Sequence, residues 1–263
     1  MNDRLRVTYL RCSMTLIQWQ GLTVLTDPWY GNNLRGLPCF YAPPIALDQL
    51  PPIDAVLASH LHPDHFDVKA VRFLAARNPR MAVFAPPGVV EKLGPGHAGE
   101  VHELQWWQSR ALGPLELIAA EAHHSGYEIN AVIRGPGGSL FFGGDSRYSP
   151  AFNLTAQRLG PCDVALLPIG GTRVFGRRIV MNPQDAAAAA HDLGARYAIP
   201  IHEGGIWASL PPLSLHPGRP RHLREIAARP DSKFEAIVLE PGASAEFAPG
   251  EKGLTFVAQA AAQ

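Results

Sequence analysis

The sequence predicts an α/β fold in which two β-sheets pack face to face, each covered on its outer side by helices: a four-layer αββα sandwich. Three observations lead there. Short apolar runs recur along the chain, separated by 25 Gly and 25 Pro that are spread as turn punctuation and gather into no linker. Between those runs lie stretches with helical periodicity and helix-end signals. The two halves also echo each other. Each has a hairpin ending in an Asp-containing turn, Leu25-Thr26-Asp27-Pro28 and Gly143-Gly144-Asp145-Ser146, followed by strand, helix and strand. A length of 263 residues fits one such domain over residues 1–263.

Taken in order, residues 15–19 and 22–26 are strand-like runs around Gln20-Gly21, a tight hairpin signal. Residues 55–58 and 81–84 fit buried strands. Between them Asp67 can N-cap a helix over Val68–Arg77, in which Val68, Val71, Leu74 and Ala75 share a face. Val89–Leu93 reads as a short helix closed by Gly94. In the second half, residues 115–119 alternate, and 131–134 and 139–142 flank Gly135-Pro136-Gly137-Gly138 as a hairpin. Residues 164–167 and 198–201 are again short apolar strands. Between these, Asn182 caps a helix with Pro183 at its first position, running to Leu193 with Gly194 past its end; its alanines at 186–190 permit close packing on a sheet. A Pro-rich stretch, 210–220, precedes a short helix near 222–228. Beyond Glu240 a last strand and a frayed Ala-rich tail are expected.

Composition excludes several classes of function. With 46% hydrophobic and 17% charged residues the chain is too apolar to be disordered. Lys+Arg and Asp+Glu both total 23, so no basic excess draws it to nucleic acid or an anionic membrane. No apolar run approaches the roughly 18–20 residues that span a bilayer, so no integral membrane association is expected. The N-terminal stretch has no uninterrupted apolar core of a signal peptide. Cys12, Cys39 and Cys162 form no C-x-x-C pair and read as small buried hydrophobes. Reduced cysteines and the lack of an export signal point to the cytoplasm. The expected partner is a small-molecule substrate, with a homo-oligomer left open.

The decisive segment is His60-Leu61-His62-Pro63-Asp64-His65. It places four potential ligands within six residues, directly after an apolar strand and directly before a helix. In a strand-end loop, side chains at i and i+2 can converge on one ion, and Asp64-His65 can face a second. Neutral imidazole and carboxylate suit Zn²⁺ and similar divalent metals. The plain alternative is a polar capping loop, which does not explain three His and one Asp at this spacing. Further His and Asp residues follow strands at Ala122-His123-His124-Ser125-Gly126, Gly144-Asp145-Ser146 and Ile201-His202-Glu203-Gly204.

The H-x-H-x-D-H run resembles the signature of metallo-β-lactamase-fold hydrolases, and the later elements match in order. Leu167-Pro168-Ile169-Gly170, Met181-Asn182-Pro183-Gln184-Asp185-Ala186 and Ile199-Pro200-Ile201-His202 resemble one branch in particular. That branch includes the ascorbate-phosphate lactonase and the N-acyl-phosphatidylethanolamine-hydrolysing phospholipase D. The resemblance implies the metallo-β-lactamase fold and two divalent metal ions, Zn first, with Mn or Fe also suited to an all-N/O ligand set. It implies His60, His62 and His123 at one ion, Asp64, His65 and His202 at the other, and Asp145 bridging both. The family's third-element His is usually followed by an aromatic residue and then Ser-Gly. This makes His123 the ligand with His124 in the aromatic's place; His124 as ligand is the alternative register. Asp27 matches the early strand-ending Asp, expected to orient the metal loop by hydrogen bonds, beside its plain reading as a turn residue before Pro28.

The implied reaction is hydrolysis of an ester-type bond, phosphodiester or lactone/carboxylic ester, by a hydroxide bridging the two ions. In it Asp64 and Asp145 are the catalytic carboxylates and Asp64 accepts the nucleophile's proton. Arg173, Arg177 and Arg178, on a loop near the site, could clamp a small anionic substrate, or form an ordinary solvated basic loop. His124 is a further candidate substrate contact. Relative to the lipid-hydrolysing members, the stretch from Gly170 to Met181 is short and lacks a His ahead of Met-Asn-Pro, which points away from a phospholipid. Two rivals share the fold. A di-iron oxidoreductase carries Glu where this chain has His62. A nuclease carries a large inserted domain for which this length leaves little room.

Overall fold

Strands with apolar side chains on both faces need cover on both sides, and that requirement organises the chain. The computed structural model describes residues 3–34, 36–97 and 99–262. An eight-stranded sheet runs in the order Gly253–Ala260, Ser244–Gly250, Leu5–Arg11, Met14–Trp19, Leu22–Thr26, Ala55–Leu57, Ala82–Ala85, Glu100–Glu103. A seven-stranded sheet runs Glu235–Ala236, Tyr197–Ile201, Val164–Pro168, Gly138–Phe142, Ile129–Gly135, Leu115–Glu121, Ser109–Leu112. Each sheet has antiparallel hairpins at one side and parallel strands at the other. The echo between halves is therefore one of topology.

The strand period of two sorts the side chains. Ile17, Trp19, Val24 and Leu57 of the first sheet meet Leu117, Ile133, Leu140, Phe142 and Leu166 of the second in the central core. Met14, Leu16, Leu25 and Val56 point to the opposite face. There they pack on helices α1 (Val68–Arg77) and α2 (Val89–Leu93). On the far side Phe141, Ala165 and Leu167 pack on α3 (Ala151–Leu159), α4 (Pro183–Asp192) and α5 (Pro220–Ala227). The result is the four-layer αββα sandwich. At about 1.5–3 kcal/mol per fully buried aliphatic or aromatic side chain, these three clusters dominate the folding energy.

The helix ends follow the expected chemistry. Asp67 caps α1 by accepting the amides of Lys69 (3.0 Å) and Ala70 (3.2 Å). Asn182 and Asp185 form a reciprocal capping box at α4, with Pro183 in its first turn. Two expectations need correction. The Ala-rich C-terminal segment is the edge strand Gly253–Ala260, paired with Ser244–Gly250 over seven positions. Its alternating Leu254, Phe256 and Ala258 show why a pleated strand fits. Helix α3 was not anticipated, because its N-cap is Pro150, which makes no side-chain cap.

Parallel strands of both sheets end on one rim of the sandwich, where side chains from several loops can meet. Close backbone approach holds that rim together. The Gly218 amide donates to the Gly170 carbonyl (2.9 Å), and the Gly204 amide donates to the Gly218 carbonyl (2.9 Å). A Cβ on Gly218 would overlap the Ile169 carbonyl oxygen. Gly218→Ala is expected to lower stability by about 3 kcal/mol, because backbone rather than a flexible side chain must give way. An unchanged denaturant midpoint would contradict this.

Candidate metal centre

The His60–His65 loop leaves the end of the Ala55–Leu57 strand and turns on two hydrogen bonds to the His62 carbonyl, from the amides of His65 (3.0 Å) and Phe66 (2.8 Å). That turn puts His60 and His62 on one side and Asp64 and His65 on the other. Asp27, at the end of the neighbouring strand, accepts from the Ser59 amide and hydroxyl (both 2.7 Å) and approaches His65 Nδ1 at 2.6 Å. The last contact makes Nδ1 the protonated nitrogen and turns Nε2 inward. Asp27 is fully buried and its φ is +37°, a conformation that L-residues seldom adopt.

Asp145 follows the Gly138–Phe142 strand through Gly143-Gly144. Gly144, at φ +49°, is required there, since a Cβ would strike Ser59 and Glu128. Glu128 lies beneath: its carboxyl accepts the Asp145 amide at 2.7 Å and the Ser146 hydroxyl at 3.3 Å. Burial pushes the Glu128 carboxyl well above the usual range, and the Asp145 charge pushes it further. His202 follows the Tyr197–Ile201 strand at φ +45°, its amide donating to the Cys12 carbonyl at 2.7 Å.

These side chains form three overlapping groups of ligand atoms, each group lying within 4.8 Å of one another: His60, His62 and His124; Cys12, Asp64, His65 and His202; and His60, His65 and Asp145, which joins the other two. Asp145 stands between them. Its Oδ2 is 3.1 Å from His65 Nε2 and 4.0 Å from His124 Nε2, and its Oδ1 is 3.1 Å from His202 Nε2.

The donor set fits divalent metal. His65 Nε2, His202 Nε2 and Asp145 Oδ1 are buried without a hydrogen-bond partner and face one another. The electrostatics agree. Burial alone would lower the His65 imidazole, but Asp145, Asp64 and Asp27 outweigh it and hold it well above its ordinary value. Burial would raise Asp145, yet the charges of His202 and His65 hold it well below. The pocket thus collects positive charge, which a cation can supply while leaving the imidazoles as neutral ligands. His60, deprived of water by burial, is held well below its ordinary value and so stays neutral.

The structure departs from expectation at two places. His123 does not join the cluster: its Nε2 lies 2.8 Å from Glu121 Oε1, and its ring leans toward Trp106. His124 takes its place, with Nδ1 donating to the Ile179 carbonyl at 2.9 Å and Nε2 turned toward Asp145. In the loop after the Leu115–Glu121 strand the two neighbouring rings turn to different sides, so a one-residue change of register exchanges them. Cys12 is buried as expected, but it sits among Asp64, His65 and His202. The available ligand set is therefore not confined to nitrogen and oxygen.

For Arg173, Arg177 and Arg178 the sequence left a substrate clamp and a solvated basic loop open. They belong to a small three-stranded sheet made by Arg173–Val174, Arg177–Arg178 and Ser214–Leu215. Strand alternation turns Val174 to the metal cleft, while Arg173 and Arg177 are exposed and Arg178 pairs with Asp185 at 2.8 Å. The cleft has a volume of about 520 Å³. Its floor holds His62, Asp64, His124, Asp145 and His202, and its walls include Leu34, Val174, Ile179, Val180 and Trp207. None of its described lining residues is Lys or Arg.

Sequence reasoning missed Glu128 and His216. Glu128 is an acid directly before the Ile129–Gly135 strand, whose first five residues are buried, a signal that was available. His216, on the cleft wall, receives or gives a hydrogen bond at Thr172 Oγ1 (3.1 Å). Burial, aided by the His202 and Arg219 charges, lowers its imidazole from 6.5 to about 4. The unfolded chain therefore takes up a proton below about 6.5 that the fold resists, so stability is lost as pH falls from 6.5 toward 4. His216→Gln is expected to flatten the decline in chemical-denaturation stability over that window; superimposable profiles would contradict it.

Comparison with known proteins agrees with this fold. Residues 23–202 match the family described as Beta-lactamase superfamily domain. An uncharacterized protein of Mycobacterium tuberculosis is 32% identical over 260 residues, spanning 91% of this chain and 68% of its own length. A UPF0173 metal-dependent hydrolase of Methanopyrus kandleri is 31% identical over 253 residues, spanning 92% of this chain and 100% of its own. An N-acyl-phosphatidylethanolamine-hydrolyzing phospholipase D of Caenorhabditis elegans is 27% identical over 224 residues, spanning 75% of this chain and 63% of its own. Among solved structures, a metallo hydrolase of Ignicoccus hospitalis superposes with a TM-score of 0.74 at 21% identity, covering 93% of this chain and 98% of its own. A diiron β-hydroxylase of Streptomyces venezuelae shares the fold at a TM-score of 0.66 and 16% identity, over 90% of this chain and 53% of its own. The chain belongs to the β-lactamase superfamily, and within it is a metal-dependent hydrolase. Among the described residues no helix is long and apolar enough to cross a membrane.

Proposed function

We propose that the protein uses two divalent ions, with Zn²⁺ the first candidate, to hydrolyse a carboxylic ester or lactone that carries an apolar body. The observation that supports this best is the pairing of two ligand groups around Asp145 at the floor of a cleft whose walls are apolar and whose described lining lacks Lys and Arg. In this reading His60, His62 and His124 would hold one ion, Asp64, His65 and His202 would hold the other, and Asp145 would serve both. Such ions supply Lewis acidity at the scissile carbonyl and bring the pKa of water toward neutrality.

The chain's own residues do the rest. Asp27 fixes the His65 tautomer through Nδ1, and the Ile179 carbonyl fixes that of His124. The Glu128 carboxyl anchors the Asp145 amide, so the carboxylate is held before substrate arrives. Asp64, with 8% of its surface exposed, is the carboxylate placed to take a proton from the attacking water. Leu34, Val174, Ile179 and Trp207 exclude water around the apolar part of the substrate.

The second reading, a phosphodiester substrate, is favoured by the likeness to the phospholipase D of Caenorhabditis elegans. The lack of a cationic side chain in the described cleft lining weighs against an anion that the metals alone would have to bind. His62 inside an all-imidazole group supports hydrolysis over the di-iron rival.

A panel of acyl nitrophenyl esters, lactones, a chromogenic phosphodiester and a β-lactam, assayed with Zn²⁺ and with Mn²⁺, tests this. Esters or lactones should be hydrolysed, with activity lost on chelation and regained on reloading. Preference for the phosphodiester would favour the second reading, and hydrolysis that survives chelation would sink both. Arg173→Ala and Arg177→Ala should leave kcat/KM within about twofold, as expected of exposed side chains outside the contact surface. A large rise in KM in either variant would restore the anionic clamp.

A further inference from the structure

Cys12 is a chemically competent group at the centre that the hydrolytic reading leaves without a task. We propose that its thiolate is a ligand of the ion held by Asp64, His65 and His202, making that half of the centre a mixed sulfur, nitrogen and oxygen site. The inference rests on the two-metal reading and extends it.

Cys12 Sγ and one ligand atom from each of Asp64, His65 and His202 all lie within 4.8 Å of one another, and all four residues are buried. Thiolate, carboxylate and imidazole are the donor types that Zn²⁺ takes, and with the neighbouring Asp145 they offer up to five protein donors, the upper end of its usual coordination. Two of them, His65 Nε2 and His202 Nε2, are buried and without a hydrogen-bond partner, so the group points at a ligand. The position of Cys12 is fixed from two sides. It occupies the turn between the Leu5–Arg11 and Met14–Trp19 strands at φ +56°, where Gly or Asn is the usual occupant. Its carbonyl accepts the His202 amide at 2.7 Å, which ties the thiol-bearing turn to the residue that shares its ion.

Ligation breaks the S–H bond, forms the S–metal bond and releases one proton to bulk solvent; no electron moves. A thiolate makes this half softer than the His60, His62 and His124 half. The two positions should therefore differ in metal preference, this one favouring Zn²⁺ or Co²⁺ over Mn²⁺.

The test is the electronic spectrum of the metal-stripped protein titrated with Co²⁺. A near-ultraviolet thiolate-to-cobalt charge-transfer band is expected in the native sequence. It should be absent in Cys12→Ser and retained in Cys39→Ser and Cys162→Ser. Circular dichroism and the visible bands of the other ion report that Cys12→Ser is folded and still binds cobalt, and its affinity for one of the two ions should fall by about 10–100-fold. Two equivalents of bound Co²⁺ without the band, or a band that survives Cys12→Ser, would overturn the assignment while leaving the two-metal hydrolase standing. No Co²⁺ binding would overturn both.

Discussion

Asp145→Ala is expected to lower kcat/KM by about three orders of magnitude or more and to reduce the metal content to one ion or fewer per chain. The size follows from position. Asp145 is 4% exposed, and its two oxygens lie 3.1 Å from His65 Nε2 and His202 Nε2. No other carboxylate stands between the two ligand groups among the described residues. In the proposed two-ion reading its removal would take a ligand from both ions, and it leaves the two buried imidazoles without their counter-charge. Asp145→Asn separates charge from shape. It keeps the volume and the amide bond to Glu128, so a comparable loss of activity in a folded Asp145→Asn protein assigns the effect to the carboxylate. Metal analysis on the same preparations completes the measurement. Full activity with two ions retained would contradict the bridging role.

The second large effect is a contrast between neighbours. His124→Ala should lose one metal equivalent and at least about 100-fold in kcat/KM, the scale expected when a ligand rather than its support is removed. His123→Ala should stay within about twofold. His124 Nε2 faces Asp145, and its Nδ1 is held by the Ile179 carbonyl, whereas His123 reaches Glu121 at the surface side of the same segment. The reverse pattern would restore the register that motif resemblance suggests.

That contrast marks where sequence reasoning ended. The element order was legible because local signals agreed: strand alternation, the Asp67 cap, and the Asn182 and Asp185 box each specify one conformation. The His60–His65 run was legible because its ligands are contiguous. The choice between His123 and His124 was not, since spacing leaves open which of two adjacent loop residues turns inward. Cys12 and Glu128 reach the centre only through tertiary contacts, Cys12 with His202 and Glu128 with Asp145. For the arginines of residues 173–178 the choice between clamp and solvated loop was open for a related reason. They are near the site in sequence, but strand alternation sends Val174 inward and Arg173 outward.

The central claim is a pair of ions flanking Asp145, and anomalous diffraction at the metal edge of a reloaded crystal tests it most directly. Two peaks are expected, about 3.5–4 Å apart. One should lie among His60, His62 and His124, and the other among Cys12, Asp64, His65 and His202, with Asp145 in contact with both. A single peak, or one displaced toward His123 and Glu121, would contradict the account.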